Sequence, residues 1–311
     1  MWRLIQTAIS LATLIACAAC EETFIPETDT SASEIVVEGY IEAGDRPAPP
    51  YVILTRSFPF FREINADQLD ASFVHDAVIK VSSGEQSIEL TEICYDELDA
   101  TQKELAAQLF GLDPDSVGFN FCAYVDLSFS MQGEEGKTYQ LSVDVEGKTL
   151  TASTHIPIHV PLESLHFFPP PGEPNDTLLQ LRCVVNDPPG EANYYRYLTK
   201  TNDEPFLASF TSVTDDRLFD GQNFEFPLAK AEPPGTEIDP LTFGLYTRGD
   251  TLNLKWVMLD KAHFDFWNTL EFNAANQGPF SSYTRVAHNI EGGLGIWGGL
   301  SATYYEMVVT E

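Results

Sequence analysis

The sequence predicts an all-β protein with two β-sandwich domains, one short inserted helix and one helix in the second domain. Apolar and polar residues alternate in many short runs, and turn residues separate these runs. Six prolines fall between Pro157 and Pro174, and proline cannot donate a backbone hydrogen bond to a sheet. We therefore expect a first domain over 34–160, a proline-rich junction over 161–174 and a second domain over 175–311.

The first nineteen residues are typical of a secretory signal. Arg3 is their one charged residue, and the run Ala8–Ala19 is too short for a membrane-spanning helix, which takes ~20 residues. Cys20 follows two small residues, which predicts a bacterial lipobox whose cysteine is acylated, with Cys17 as the alternative. The acidic stretch 20–33 has no periodicity, and we expect it to tether the lipid to the fold.

The charge balance narrows the classes of partner. The chain has 17 Lys and Arg against 47 Asp and Glu, a formal net charge of −30. Nucleic-acid binding depends on Lys and Arg displacing counterions, so this composition argues against it. An anionic lipid surface would also repel the chain, so we expect acyl chains to hold it at the membrane.

Strand patterns begin directly after the expected tether. The clearest hairpin joins Tyr139–Val145 to Lys148–His155 through Glu146-Gly147, because glycine supplies the positive φ of a tight turn. The other predicted strands of the first domain are Ile35–Ile41, Tyr51–Thr55, Ala77–Val81 and Ser87–Leu90.

An insertion interrupts the strands of the first domain. Thr101–Glu104 has the spacing of a capping box, and Leu105, Leu109 and Phe110 form an apolar stripe, which together predict a short helix. Cys94 and Cys122 flank this insertion. Export leads to an oxidising compartment, so we predict a disulfide between them that contributes ~3 kcal/mol.

The second domain is predicted to contain seven strands and a helix. The helix spans Asp260–Asn276, with Asp260 as its N-cap. Cys183 lies in a strand-like run and is predicted to be a buried free thiol. The predicted strands are Leu178–Val185, Asn193–Thr199, Pro205–Val213, Phe224–Leu228, Leu241–Tyr246, Thr251–Met258 and Thr303–Thr310.

Motifs for catalysis or metal binding are incomplete. Gly293–Gly298 reads G-x-G-x-x-G, but a strand-like run follows it where a dinucleotide site needs a helix. His155 and His159 are four apart in an extended segment, which would hold the two rings ~13 Å apart. We predict no catalytic residues, no resident metal and no cofactor.

Calcium remains an alternative to that prediction. Acidic residues cluster at Asp113–Gly118, at Asp215-Asp216 and at Asp220-Gly221, but none of these runs has the ligand series of an EF-hand. The competing interpretation is that these side chains are solvated aspartates of turns.

Aromatic residues supply the candidate partner-binding surface. Phe58, Phe60 and Phe61 surround Pro59, and we predict that they anchor a partner, with packing onto the core as the alternative. Tyr194, Tyr195 and Trp297 have the chemistry to stack on sugars, but strand aromatics of this kind are more often core residues.

Ordered motifs along the chain match a known family. The residues that carry the resemblance are Cys20-Glu21-Glu22, Ile35–Gly39, Gly136–Tyr139, Thr149–Pro157, Asp187–Gly190, Asn193–Arg196, Phe219–Gln222, Gly249-Asp250 and Asn289–Gly293. In this order the chain resembles an uncharacterised family of Bacteroidota lipoproteins that is catalogued only as a domain of unknown function. The insertion between the two paired cysteines departs from the family pattern. The first half is also similar to transthyretin-like or Ig-like modules.

The resemblance implies an accessory role at a transporter, because family members are typically encoded beside TonB-dependent outer-membrane receptors. We therefore expect a non-enzymatic lipoprotein of the outer membrane, on its periplasmic side or on the cell surface. It would act as an accessory or binding subunit of a TonB-dependent transporter. The alternative is an independent surface protein that binds a glycan or a divalent metal. A hydrolase has the least support, because the sequence shows no nucleophile–base pair and no metal motif.

Overall fold

Most of the chain folds into β-strands. The computed structural model describes residues 33–58, 65–110, 118–172, 176–233, 236–237, 239–275 and 285–311. The strands in these ranges are β1 (Ile35–Gly44), β2 (Tyr51–Arg56), β3 (Val78–Ser83), β4 (Gln86–Cys94), β5 (Cys122–Val125), β6 (Thr138–Val145), β7 (Lys148–His155), β8 (Leu162–Phe168), β9 (Leu178–Asn186), β10 (Tyr194–Thr201), β11 (Leu207–Asp215), β12 (Asn223–Leu228), β13 (Tyr246–Thr247), β14 (Thr251–Leu259) and β15 (Leu294–Val308).

Three α-helices and one short 3-10 helix accompany the strands in the described part of the chain. The α-helices are α1 (Ala66–Asp70), α2 (Ala100–Phe110) and α3 (Lys261–Ala275), and the 3-10 helix spans Tyr95–Glu97. The all-β fold class with few helices is therefore confirmed. None of the described helices is long and apolar enough to cross a membrane.

The last strand of the chain joins its two halves. One sheet of eleven strands runs in the order β11-β10-β14-β15-β1-β2-β5-β4-β3-β6-β7. Within it β15 pairs in parallel with β1, from Val36 opposite Leu294 to Gly44 opposite Ala302, and antiparallel with β14. Gly295 has φ +108, and a Cβ there would lie 1.9 Å from the Val37 carbonyl oxygen. Only glycine fits this close approach of β15 to β1.

The first half of the long sheet curls back toward β15. Residue Thr151 of β7 exchanges two backbone hydrogen bonds with Glu291, at 3.2 and 2.8 Å. The concave side holds a core to which alternate residues of each strand contribute, as in β6, where Tyr139, Leu141 and Val143 are buried. Trp297 of β15 completes this core and is fully buried.

A second sheet covers the other end of the long sheet. It pairs β9 with β8, β12 and β13. Alternate residues Leu179, Leu181, Cys183 and Val185 of β9 are buried and pack in a second core with the side chains of β10 and β14. The two layers form a sandwich in the second half of the chain. Helix α3 lies on the opposite face of the long sheet, where Trp267 packs against a third apolar cluster.

Several element predictions hold, and others need correction. The β6–β7 hairpin and helix α3 agree with the prediction to within one residue at most boundaries. The run Leu241–Tyr246 was expected to be a strand, but it forms turns, and β13 has only two residues. The final strand is expected to begin at Thr303, but β15 begins nine residues earlier, at Leu294. In this added part Gly298 allows close packing against His263 on one face, and Gly299 allows it against Thr154 and Ile156 on the other.

Two strands were missed in the prediction. The expected junction 161–174 contains β8, because its prolines flank a proline-free run that pairs with β9. Short β5 was missed because only four residues form it, between the insertion and the next loop. The division of the chain into two domains stays a prediction.

The insertion in the first half of the chain is held at its two ends by the predicted disulfide. Cys94 and Cys122 form a disulfide, and Cys183 is a buried free cysteine, as expected. Helix α2 begins at Ala100, so its capping box is not at Thr101. The backbone N–H of Gln102 donates to the Asp99 side chain at 2.9 Å, and the Gln102 side chain accepts the Asp99 N–H at 3.0 Å.

Candidate functional site

The candidate site is an open cleft in the sandwich of the second half. It has a volume of about 360 Å³ and lies between β10–β11 of the long sheet and β12 of the short sheet. This volume is at the lower end of the range for ligand-binding cavities. The lining residues are Tyr195, Tyr197, Ser209, Thr211, Ser212, Val213, Thr214, Phe219, Phe224, Phe226, Pro227, Leu228, Ala229, Phe243 and Trp256.

Five aromatic rings form the base and one wall of the cleft. Tyr195 stacks on Trp256 with centroids 5.1 Å apart and on Phe219 at 6.1 Å. The rings of Phe219 and Phe224 are nearly parallel, with centroids 4.9 Å apart. The Phe226 centroid lies 5.9 Å from that of Phe224 and 6.0 Å from that of Trp256, which completes the cluster. Phe224 and Phe226 share one face because side chains alternate along β12. Tyr195 and Trp256 are fully buried, whereas Phe224 is 38% exposed at the rim.

Hydroxyl groups line the side of the cleft that faces this aromatic wall. They belong to Ser209, Thr211 and Thr214 of β11 and to Tyr197 of β10. Burial raises the pKa of Tyr197, whose hydroxyl hydrogen-bonds with Ser209. None of the lining residues is charged. The cleft can therefore recognise a ligand by stacking and neutral hydrogen bonds.

A buried ionic network fixes the β11 wall from behind. Arg196 donates from Nε to the Ser212 hydroxyl at 2.9 Å, and its guanidinium lies 3.5 Å from the Trp267 ring centroid. Glu271 of α3 accepts the Ser212 N–H at 2.9 Å and lies 3.7 Å from Arg196. Burial lowers the pKa of Arg196, although the Glu271 carboxylate partly opposes this effect. The β10–β11 register shifts at this point, between Arg196 and Leu198.

Three carboxylates meet at one end of the cleft. Oxygen atoms of Asp187, Asp216 and Asp220 lie within 4.8 Å of one another, and the first two side chains are buried. Tyr195, which lines the cleft, donates its hydroxyl to Asp187. Phe219, which also lines the cleft, lies in the turn between the other two aspartates.

Backbone groups of two turns satisfy these carboxylates. Asp187 accepts the Gly221 N–H at 3.1 Å, and Asp220 accepts the Gly190 N–H at 2.8 Å. Asp216 accepts the N–H of Asn193 at 2.6 Å. The cluster thus fastens the turn that precedes β10 to the turn that precedes β12. Carboxylates are also the ligands that hard divalent cations prefer, and this group supplies three of them.

The sequence predicts only part of this cluster. Asp216 and Asp220 belong to runs of possible calcium ligands, whereas Asp187 appears only in a motif of the family resemblance. Asp215, the neighbour of Asp216, instead pairs with Arg217 at 2.8 Å. Most of the acidic run Asp113–Gly118 lies outside the described residues. The motifs of the family resemblance contain a signal for this cluster. Those within 187–196 and 219–222 lie next to each other in the structure, where backbone N–H groups of one turn donate to carboxylates of the other.

The other candidate residues are dispersed. His155 bonds to the Thr138 hydroxyl at 3.2 Å, whereas His159 bonds to the Thr303 hydroxyl at 2.8 Å, so the two imidazoles serve different strands. Trp297 lies in the core and donates its indole N–H to a backbone carbonyl at 3.1 Å. From Leu294 onward, the glycine motif around it is part of β15.

The predicted partner-binding and lipidation residues are largely outside the described ranges. Phe58 is partly exposed, and Phe60 and Phe61 lie outside them. Cys17 and Cys20 also lie outside them. These assignments stay predictions. A second cluster of potential metal ligands, at His75 and Glu92, includes the two disulfide sulfurs, which are not available as thiolates.

The fold defines a β-protein of two packed layers with few helices and an aromatic cleft between the layers of its second half. By sequence, the chain belongs to the family described as Domain of unknown function (DUF4249), whose model matches residues 21–306. This match confirms the resemblance to a family catalogued only as a domain of unknown function. A comparison with curated proteins finds no match.

Proposed function

We propose that this chain is a non-enzymatic, lipid-anchored protein of the outer membrane that acts as an accessory subunit of a TonB-dependent transporter. The signal-like start of the chain and Cys20 support the lipid anchor. The family resemblance supports the transporter, because members are typically encoded beside such receptors. The aromatic cleft is the surface through which the subunit docks.

The observation that carries the proposal is the chemistry of the cleft. Rim rings such as Phe224 and Phe243, which are 38% and 40% exposed, lie above a base of buried aromatic side chains. Aromatic anchors at the centre of an interface supply most of its binding energy. The lining hydroxyls belong to serine, threonine and tyrosine side chains, with no histidine or carboxylate among the lining residues to act as a base. Such a lining is suited to holding a partner.

Affinity purification tests the proposal. The protein carries a C-terminal tag, the native outer membrane is solubilised in mild detergent, and co-purifying proteins are identified and quantified. A matched pair of variants is compared. Phe224→Ser removes a rim ring, and Phe168→Ser removes an equally exposed ring (41%) of β8 that does not line the cleft.

We expect a stoichiometric TonB-dependent receptor with the wild type and with Phe168→Ser, and a strongly reduced yield with Phe224→Ser. Recovery of the lipoprotein alone, with the receptor present in the same extract, would contradict the accessory role. Equal loss of the receptor in both variants would contradict docking through the cleft.

One observation favours a second function. A wall of aromatic rings opposite a wall of hydroxyls also matches a neutral sugar, whose C–H face stacks while its hydroxyls hydrogen-bond. In this case the chain is an independent glycan-binding protein. Retention of the purified protein on a neutral polysaccharide column, lost in Phe224→Ser and kept in Phe168→Ser, would support this function over the first.

A further inference from the structure

The disulfide that holds the two ends of the insertion belongs to a larger group of metal-ligating side chains. One ligand atom each from His75, Glu92, Cys94 and Cys122 lies within 4.8 Å of the other three. In a tetrahedral zinc site, whose bonds to sulfur, nitrogen and oxygen measure roughly 2.0–2.3 Å, the ligand atoms stand about 3.3–3.8 Å from one another. The four side chains are therefore close enough together to surround one ion.

The sheet positions three of these four side chains. Cys94 of β4 lies directly opposite Cys122 of β5. Glu92 precedes Cys94 by two residues on β4, so both side chains point to the same face of the sheet. Because backbone pairing of β4 with β5 fixes this arrangement, the three side chains stay side by side when the S–S bond is broken.

Hydrogen bonds hold the fourth side chain in place. The His75 Nδ1 atom lies 2.5 Å from Glu92 Oε1, and Glu92 Oε2 accepts the N–H of Asp76, the next residue, at 3.0 Å. A carboxylate that pairs with a histidine fixes the orientation of the ring and raises its basicity as a metal ligand. The His75 side chain is half-exposed, so an ion can reach the group from solvent.

The types of ligand determine which ion fits. Thiolate sulfur and imidazole nitrogen are ligands that zinc prefers, and a carboxylate oxygen can complete its four-coordinate shell. Calcium and magnesium take oxygen ligands instead, so they do not suit a group with two sulfurs. The formal net charge of −30 also raises the concentration of cations at the surface of the chain.

Zinc can bind only after the disulfide is reduced, because the thiolate is the form of cysteine that binds a metal. An external dithiol supplies two electrons and two protons for this step. The S–S bond between Cys94 and Cys122 breaks, two thiols form, and the dithiol closes into its own disulfide. Zn²⁺ then replaces the two thiol protons, which pass to the solvent.

We propose that reduction of the Cys94–Cys122 disulfide opens a zinc site formed by the two thiolates, His75 and Glu92. The two ends of the insertion are then held by the S–S bond in the oxidised protein and by Zn²⁺ in the reduced protein. The site uses none of the residues that line the aromatic cleft, so this inference is independent of the proposed docking role.

Titration with Co²⁺ tests the proposal, since thiolate-to-cobalt charge-transfer bands and tetrahedral d–d bands report both the ligands and the geometry. The purified full-length protein is used oxidised, or reduced with dithiothreitol that is then removed by gel filtration without oxygen. A double variant, Cys94→Ser with Cys122→Ser, removes both proposed thiolates and keeps every other cysteine. His75→Gln is paired with His166→Gln, which replaces an exposed histidine of β8 outside the group.

We expect one Co²⁺ per reduced chain, with thiolate and tetrahedral bands that disappear when Zn²⁺ displaces the cobalt. Zn²⁺ should bind with a Kd below about 1 μM. The oxidised protein and the double variant should show no thiolate band. His75→Gln should weaken Co²⁺ binding at least about tenfold, and His166→Gln should leave it unchanged.

Three results would overturn the proposal. The first is the absence of a thiolate band in the reduced wild type. The second is the same band in the oxidised protein or in the double variant, because the thiolates would then come from other cysteines. The third is equal binding by His75→Gln and His166→Gln, because His75 would then not be a ligand.

Discussion

His263 should make the stability of the protein depend on pH between about 4 and 6.5. This residue lies in the first turn of α3 and is 1% exposed, with its Nδ1 3.3 Å from the Gly299 carbonyl oxygen. Burial lowers the pKa of His263 to about 4, although nearby Asp260 favours the charged form. Arg196 also lowers this pKa, because it repels the protonated ring.

The expected change in the free energy of unfolding follows from the pKa shift of His263. An unfolded histidine titrates near ~6.5, and each pKa unit corresponds to ~1.36 kcal/mol, so the full effect is about 3 kcal/mol. The unfolded chain takes up the proton first as the pH falls. The stability that depends on neutral His263 is therefore fully present above pH ~6.5, and it is lost as the pH drops towards the pKa of His263 in the folded state.

The variant His263→Phe keeps a buried ring and removes the titration. Urea unfolding is followed by tryptophan fluorescence between pH 7 and pH 4, since Trp256 and Trp297 are both buried. We expect the free energy of unfolding to fall by up to about 3 kcal/mol more in the wild type than in the variant. The exposed His166 supplies the control His166→Gln, which should follow the wild type.

A parallel pH dependence in the wild type and in His263→Phe would refute this reasoning. Carboxylates that do not interact with His263 contribute equally to both proteins, so the comparison isolates His263 together with its interaction with Asp260. A larger pH dependence in the variant would also refute it, because it would mean that the buried ring is charged in the folded state.

Three further variants probe the framework around the cleft. Replacing both Cys94 and Cys122 by serine opens a loop of 28 residues and should lower the free energy of unfolding by about 3 kcal/mol in urea titrations, and no change would contradict this. Gly295→Ala should lower the free energy of unfolding by at least about 2 kcal/mol, because the added Cβ would lie 1.9 Å from the Val37 carbonyl oxygen. Gly84→Ala, also at positive φ but in open space, should lower it by only about 1 kcal/mol. Equal losses in the two variants would show that the close approach of β15 to β1 is not the cause. The Asp187 carboxylate accepts hydrogen bonds from the Tyr195 hydroxyl and the Gly221 N–H, and in Asp187→Asn the amide NH₂ would face one of these two donors. The free energy of unfolding should therefore fall by about 1–3 kcal/mol, and an unchanged Tm would contradict this.

Local patterns predicted the elements that depend on neighbouring residues. The β6–β7 hairpin follows from alternation around Glu146-Gly147, where both residues have positive φ. Helix α3 follows from its cap, since the His263 N–H donates to the Asp260 side chain at 2.8 Å. In both cases the physical cause lies within a few residues, so the sequence contains it.

The remaining features depend on residues far apart in the chain. Pairing of β1 with β15 joins Val37 to Gly295, and no local pattern signals such a contact. Strand β8 was masked by its flanking prolines, and its formation depends on β9. A strand pattern shows that side chains alternate, but it does not show which sheet they will face.

The candidate site shows the same limit. Its rings come from β10, β12, β14 and a turn, and of these rings the sequence singles out only Tyr195, as a strand aromatic of the core. This interpretation is correct for Tyr195, which is fully buried. The sequence does not reveal the cleft, because the cleft depends on the partial exposure of Phe224. This exposure arises from the fold, in which β12 is the edge strand of the short sheet and lies opposite β11.

Site-specific cross-linking in the native membrane tests whether the cleft is the docking surface. A photoreactive phenylalanine analogue replaces Phe224 at the cleft rim or Phe168 outside the cleft, and the products are identified after irradiation of intact cells. We expect a cross-link from position 224 to a TonB-dependent receptor and none from position 168. No product from position 224, or the same product from both positions, would contradict the claim that the cleft is the docking surface.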